Sequence, residues 1–317
     1  MTARVAVVIP YYQREPGVLA RALRSVAAQA TLPAQVVIVD DESPHPAQDE
    51  LRGLDGPLAG RIVLIRQQNA GPGAARNVAL DQLPPEIEYV AFLDSDDEWI
   101  PTHLQVAVTA LDSGYDIFFG DHYDVASSHA WIERNWAEAL ELPLLPVGCG
   151  CREVPGDLAG RILDSNPIGM SSALYRYRAY PTLRFPVDFP TAEVNVFWLA
   201  LALQGARAAF STNVHTQLGR GVNVYRGNAK SSAASLRVLH NSVRFRAHAL
   251  HTMQLNEAQA TTARARMDVF SRRFAAELVP MWRRPGEIPM QTVVRQLQLH
   301  PATAGHILRA AAARLTR

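Results

Sequence analysis

The sequence predicts an α/β protein, a mostly parallel sheet flanked by helices, followed by a helical carboxy-terminal region. Three observations predict it. Short β-branched runs alternate with helical patterns over the first 120 residues, polar clusters follow the ends of those runs, and from Ser231 onward the apolar spacing is helical almost throughout. The runs at 5–9 (VAVVI), 36–39 (VVIV), 61–65 (RIVLI), 89–93 (YVAFL) and 115–119 (YDIFF) read as strands, because unbroken Val, Ile and Phe suit strands covered on both faces. Residues 17–29, 73–82 and 101–111 between them carry apolar residues at helical spacing, which implies right-handed crossovers and parallel pairing. Residues 121–166 read as irregular, 170–176 and 208–215 as strands, and 191–203 as a helix. The helical pattern after residue 231 is interrupted at Pro280, Pro285, Pro289 and Pro301.

The 317 residues are 48% hydrophobic and 19% charged, which excludes a disordered or fibrous chain and leaves room for one large or two modest domains. Cys149 and Cys151 cannot make a disulfide framework, and no second ligand pair completes a zinc site, so a reducing compartment is expected. The apolar run near the amino terminus is too short for a signal peptide core, and no run reaches 18 apolar residues. The expectation is a soluble, cytoplasmic protein, unless an amphipathic surface holds it peripherally on the inner face of the cell membrane. Charge is divided unevenly. Residues 1–217 hold 15 basic and 26 acidic residues, whereas 218–317 hold 16 and 4, so the last third is basic and suited to an anionic partner.

Ligands of open parallel sheets bind beyond the carboxyl ends of the strands. There the sequence places Pro10-Tyr11-Tyr12, Asp40-Asp41-Glu42-Ser43, the stretch from Asn69 to Asn77 (NAGPGAARN), and Asp94-Ser95-Asp96-Asp97. Three carboxylates within four residues at the end of a buried strand need a cation or hydrogen-bond donors, and a divalent metal bridging to phosphate would serve. The other reading is a solvated turn that caps the next helix. In NAGPGAARN the glycines, Gly73 among them, permit close backbone approach, and Arg76 offers a fork for a diphosphate. The stretch matches neither a dinucleotide fingerprint nor a Walker loop. Asp40 and Asp41 suit either a nucleobase N–H and a ribose hydroxyl or helix capping.

In this order and spacing, VAVVIPYYQRE, VVIVDDESP, NAGPGAARNVAL and YVAFLDSDDEW resemble the nucleotide-sugar-binding half of family-2 glycosyltransferases with the GT-A fold, over about residues 4–122. The resemblance implies residues 1–122 as the nucleotide-sugar half, 123–230 as the acceptor half and 231–317 as a basic helical region. It implies that Pro10 and Tyr12 line the nucleotide pocket and that Asp40 binds uracil. Asn69, Gly73, Arg76 and Ser95 would stand at the donor. Asp94 and Asp96 would form the D-x-D pair on Mg2+ or Mn2+, with Asp96 the main ligand and Asp94 also near the ribose. Members usually carry a Glu-Asp pair before a helix reading like E-D-x-x-x-W. Here Val194 takes the Asp position, which leaves Glu193 as the base, with Asp188 a second candidate. His215 is a candidate third metal contact, and Arg220, between glycines, a candidate diphosphate clamp.

PYYQRE and GRGVNVY are similar to glucosyltransferases of succinoglycan-type exopolysaccharide assembly. That similarity implies UDP-glucose as donor, a lipid-linked oligosaccharide as acceptor and inversion at the anomeric carbon. The basic helices, among them residues 303–315 (TAGHILRAAAARL), suit a membrane interface, or packing on the catalytic part or on a second subunit. Nucleic acid is disfavoured, because the basic residues lack aromatic interleaving. Two rivals remain: a donor-binding but inactive assembly partner, motivated by Val194, and a sugar-phosphate nucleotidyltransferase, which lacks its glycine-rich basic loop near the first strand.

Overall fold

The computed structural model describes residues 4–52, 56–123, 131–189, 191–219, 221 and 230–315. The chain divides into two compact units. The first comprises Met1–Leu158, Pro167–Asp188 and Gln204–Val222, and the second Ala159–Asn166, Phe189–Leu203 and Asn223–Arg317.

The first unit opens with β1 (Val5–Tyr11), α1 (Val18–Ala27), β2 (Gln35–Asp40), α2 (Ala47–Glu50), β3 (Ile62–Arg66), α3 (Pro72–Asp81) and β4 (Tyr89–Phe92). It continues with β5 (Glu98–Trp99), α4 (His103–Asp112), β6 (Ile117–Tyr123), α5 (Trp131–Asn135), β7 (Cys151–Glu153), β8 (Ala173–Tyr175) and β9 (Ala208–Gln217). The sheet runs β3-β2-β1-β4-β8-β6-β9-β5, with β7 also paired to β9. β3, β2, β1 and β4 are parallel neighbours, as the buried runs predict, and β6 lies parallel to β9. Antiparallel pairing joins β8 to β4 and β6, and joins β5 and β7 to β9, so the sheet is mixed. All seven residues of β1 are buried, which is why its sequence does not alternate.

The expected strand at 170–176 is shorter in the structure. Met170–Ser172 form a 3-10 turn and only Ala173–Tyr175 enter the sheet. The reason is Ser171, whose carbonyl accepts hydrogen bonds from the Trp99 indole and the Thr216 hydroxyl instead of serving a strand ladder.

The second unit is helical: α6 (Leu158–Ser165), which begins at its border, α7 (Glu193–Leu203), α8 (Ala233–Thr252), α9 (Glu257–Met281), α10 (Met290–Leu299) and α11 (Thr303–Leu315). Reciprocal capping boxes start the two longest helices, Ser232 with Ser235 for α8 and Asn256 with Gln259 for α9. Leu236, Leu239, Phe274, Leu278, Met281 and Val293 make one apolar cluster in it. Pro280 does not break α9 but lies in its last turn, where a missing N–H costs one bond and the helix ends a residue later. Among the described residues no helix is long and apolar enough to cross a membrane.

Candidate active site

The strand order sets the site's position. β1 has β2 on one side and β4 on the other, so the crossovers diverge there and a crevice opens at the carboxyl ends of these strands. The register places Tyr11 beside Asp40 and Val8 beside Phe92, which brings the polar tails of all three strands to one edge.

The acidic turn follows β4. Asp94 is 39% exposed at its side chain, and its Oδ1 accepts a 2.7 Å hydrogen bond from Arg76 Nη2. Arg76 is buried in α3 with its guanidinium 5.4 Å from the centre of the Phe185 ring, so the fork is fixed by packing as well as by charge. Ser95, Asp96 and Asp97 are all buried. Asp96 Oδ2 accepts from the Gly221 amide and Asp97 Oδ1 from the Gly219 amide, each at 2.7 Å. A Cβ at position 219 would stand 1.5 Å from the Asp96 carbonyl oxygen, which restricts that position to glycine. Burial, and then the charges of Asp94 and Asp96, push the Asp97 carboxyl up to about 8, against the hydrogen bonds from Ser171 and Gly219 that favour its ionised form. The turn therefore crowds three carboxylates within four residues, and its ligands are hard oxygens. Both properties suit Mg2+ or Mn2+. Among the described residues no three His, Cys, Asp or Glu side chains are grouped to hold a metal ion by themselves, so a cation here has to complete its shell with ligand oxygens.

The other two aspartates shape loops. Asp40 accepts from the Ser43 and Ala47 amides, both at 2.8 Å, and so caps the entry to α2. Asp41 accepts from the amides of Ala70 and Gly71 and from Gln67 Nε2, which holds the glycine-rich loop against β2. Asn69 is exposed and donates to the Asp41 carbonyl. Gly71 adopts a φ of 88°, a left-handed conformation, where the chain turns into α3. Gly73 is buried in that helix's first turn, Pro10 is buried in β1, and Tyr12 just beyond β1 is half-buried.

Three positioning residues have weaker sequence signals. The Ser43 hydroxyl accepts from the Gln13 amide at 2.7 Å and donates to the Gln13 carbonyl at 2.8 Å, while Gln13 Nε2 donates to Ser95 Oγ at 2.9 Å. Gln13 thus ties the β1 loop, the β2 loop and the acidic turn together. Its place two residues past a buried strand is the only signal for it. Ser171 Oγ accepts from the Asp94 amide across 77 residues of chain, and nothing local marks it.

His215 is 1% exposed, and its Nδ1 lies 3.2 Å from His103 Nδ1. Burial lowers its pKa to about 4, so the ring is neutral. It is a member of the core beside Phe118, and only Nε2 remains for any further ligand. Glu193 is buried in the first turn of α7, in the second unit, with Val194 half-buried after it and Asp188 exposed before it. Arg220 lies outside the described residues.

The model of Glycosyl transferase family 2 matches residues 6–159, which contain β1, β2, the glycine-rich loop and the acidic turn. Over 252 residues, 76% of each chain, the protein is 34% identical to the succinoglycan biosynthesis protein ExoW of Rhizobium meliloti (strain 1021). The chain belongs to glycosyltransferase family 2. Solved structures with similar folds include S. aureus TarS 1-349 in complex with UDP-GlcNAc, with a TM-score of 0.58 and 17% identity over 97% of this chain and 89% of that one. Another is the mannosyltransferase PcManGT from Pyrobaculum calidifontis in complex with GDP-Man and Mn2+, with a TM-score of 0.60 and 19% identity over 99% of this chain and 88% of that one. At such identities they bear on the fold alone, and it is the GT-A-type fold that the sequence implies.

Proposed function

We propose that this glycosyltransferase moves a hexose, glucose first among the candidates, from a UDP-sugar to a saccharide acceptor carried on a lipid, in bacterial exopolysaccharide assembly, with inversion at the anomeric carbon. The observation that carries this reading is the crowding of Asp94, Asp96 and Asp97 in the acidic turn beside the buried Arg76, at the carboxyl edge of the parallel strands. Residues 1–122 take the donor and 123–230 the acceptor, and the basic helices of 231–317 hold the protein peripherally at the inner membrane face. ExoW, by its name a succinoglycan biosynthesis protein, supports the exopolysaccharide assignment. The complexes of TarS with UDP-GlcNAc and of PcManGT with Mn2+ support a nucleotide-sugar donor and a divalent cation.

In this reading Asp96 and Asp94 hold Mg2+ or Mn2+, which when bound supplies positive charge at the departing diphosphate. Arg76 adds a fixed guanidinium to the same oxygens, where charge develops in the transition state. Pro10, Tyr12 and Asp40 border the nucleobase. Asn69, Gly73 and Ser95 line the donor, and Arg220 clamps its diphosphate. Glu193 takes the proton from the acceptor hydroxyl as that oxygen attacks the anomeric carbon from the face opposite UDP. The C–O bond to UDP breaks as the new glycosidic bond forms, and an α-linked donor gives a β-linked product. His215, enclosed in the core, supports the strand that leads to Gly219.

A panel of nucleotide sugars with released UDP as readout, run with and without Mn2+, tests the assignment. Cation-dependent release from UDP-glucose is expected. Binding of UDP with no transfer or hydrolysis of any donor would instead favour the inactive assembly partner that Val194 suggests.

A further inference from the structure

Four of the most exposed apolar side chains in the second unit rim one core. Met281, Val293, Ile288 and Ile307 belong to the same apolar cluster. Their chain neighbours point outward: Trp282 is 50% exposed, Met290 60%, Val294 47% and Leu308 71%. Met290 and Val294 are four residues apart on α10 and so share one face of that helix. Apolar side chains left open around one cluster, unlike single scattered ones, mark an interaction surface.

The charge around them selects the cover. Between residues 281 and 309 the chain carries four arginines, Arg283, Arg284, Arg295 and Arg309, and one acid, Glu287. All four arginines are exposed. Glu287 is paired with Arg284 at 2.8 Å, which leaves the others in excess. Apolar tips ringed by guanidinium groups match a surface that is anionic at the level of the head groups and apolar beneath. A second copy of this chain would bring the same arginines against each other.

We propose that the end of the helical unit formed by Trp282, Met290, Val294 and Leu308, with Arg283 and Arg295, docks on an anionic lipid bilayer. The tryptophan and the α10 face enter the head-group region and the arginines contact lipid phosphates. This deepens the membrane placement proposed above by naming the surface, and it does not depend on the donor or on the transfer chemistry.

The full chain is sedimented, without donor or cation, with vesicles of phosphatidylcholine alone and of phosphatidylcholine containing phosphatidylglycerol. Binding is expected only to the anionic vesicles and is expected to weaken as salt rises from about 0.05 to about 0.5 M. Trp282→Ser and the pair Met290→Ser with Val294→Ser each lower the bound fraction several-fold at constant salt. Arg283→Gln with Arg295→Gln lowers it about five-fold per arginine, the equivalent of about 1 kcal/mol each. Circular dichroism of each variant confirms that the helices are retained. Equal sedimentation of all variants overturns the proposal, as does no sedimentation at the lowest salt. So does a dimer that the same variants dissociate and that ignores vesicles, which would make a second copy the occupant. Metal-dependent UDP release, measured in parallel on soluble protein, reports on the donor reading alone.

Discussion

Each unit of the protein holds a buried polar cluster, and the two are built on opposite principles. In the helical unit, Gln296 is fully buried where α8, α9, α10 and α11 meet. Its amide donates to Ser271 Oγ and Thr303 Oγ1, both at 3.1 Å, and its carbonyl oxygen lies 2.9 Å from His240 Nδ1. Burial lowers the pKa of His240, so the ring is neutral, and every group of the Gln296 amide is matched within the protein. At the sheet edge, by contrast, three carboxylates crowd together, with Arg76, Ser171 and the Gly219 and Gly221 amides among their partners, and Asp97 is pushed far above its ordinary range. A matched neutral network fixes how helices register. Crowded carboxylates with a raised pKa are the kind of cluster that functional sites hold.

Substitutions sharpen this contrast or break it. The largest effect is expected for Glu193→Gln, a loss of about 10²–10⁴ in kcat with the KM for the donor nearly unchanged. Steady-state UDP release with acceptor present measures it, and full activity would remove Glu193 from the chemistry. Asp96→Asn is expected to cost about 10²–10³ in turnover, the scale of losing one transition-state charge partner. A Mn2+ titration of UDP release in that variant should show the cation response weakened, and an unchanged response would equate the acidic turn with an ordinary cap.

Gln296→Ala tests the opposite side of the comparison. It takes away the partner of the Thr303 hydroxyl and of His240 Nδ1, while Ser271 keeps His300, and should lower unfolding free energy by about 1–3 kcal/mol in urea titrations. Turnover per folded molecule should stay as it was, and a fall would mean that the helical network serves the chemistry. The smallest effect is expected for Gln13→Ala. Loss of one bond to Ser95 is worth about 1 kcal/mol, seen as a roughly five-fold rise in donor KM with kcat retained. A change in kcat instead would move Gln13 from positioning to the reaction itself.

Much of this was legible in the residues. β1, β2 and β4 are recognisable because burial on both faces leaves nothing but Val, Ile, Phe and their like, and the ends of those strands are where polar residues resume. Arg76 and Asp94 stand out individually for the same reason, though nothing in the sequence says that they bond. Ser171 and Gly219 were not legible. Each acts through a backbone or hydroxyl group common to many residues, and each reaches the acidic turn from a distant segment. Pro280 shows the reverse case, a strong local signal overruled because it fell in a helix's final turn.

What the sequence alone determined is the alternation of strands and helices, the sites at the strand ends and the division of charge between the two parts of the chain. All of these are set by local composition and spacing. Only the tertiary structure decided that Asp40 caps a loop, that His215 lies in the core and that two glycine amides lie on the acidic turn. Those outcomes depend on which distant groups arrive beside a given side chain, and long-range hydrogen bonding leaves no periodic trace in the order of residues.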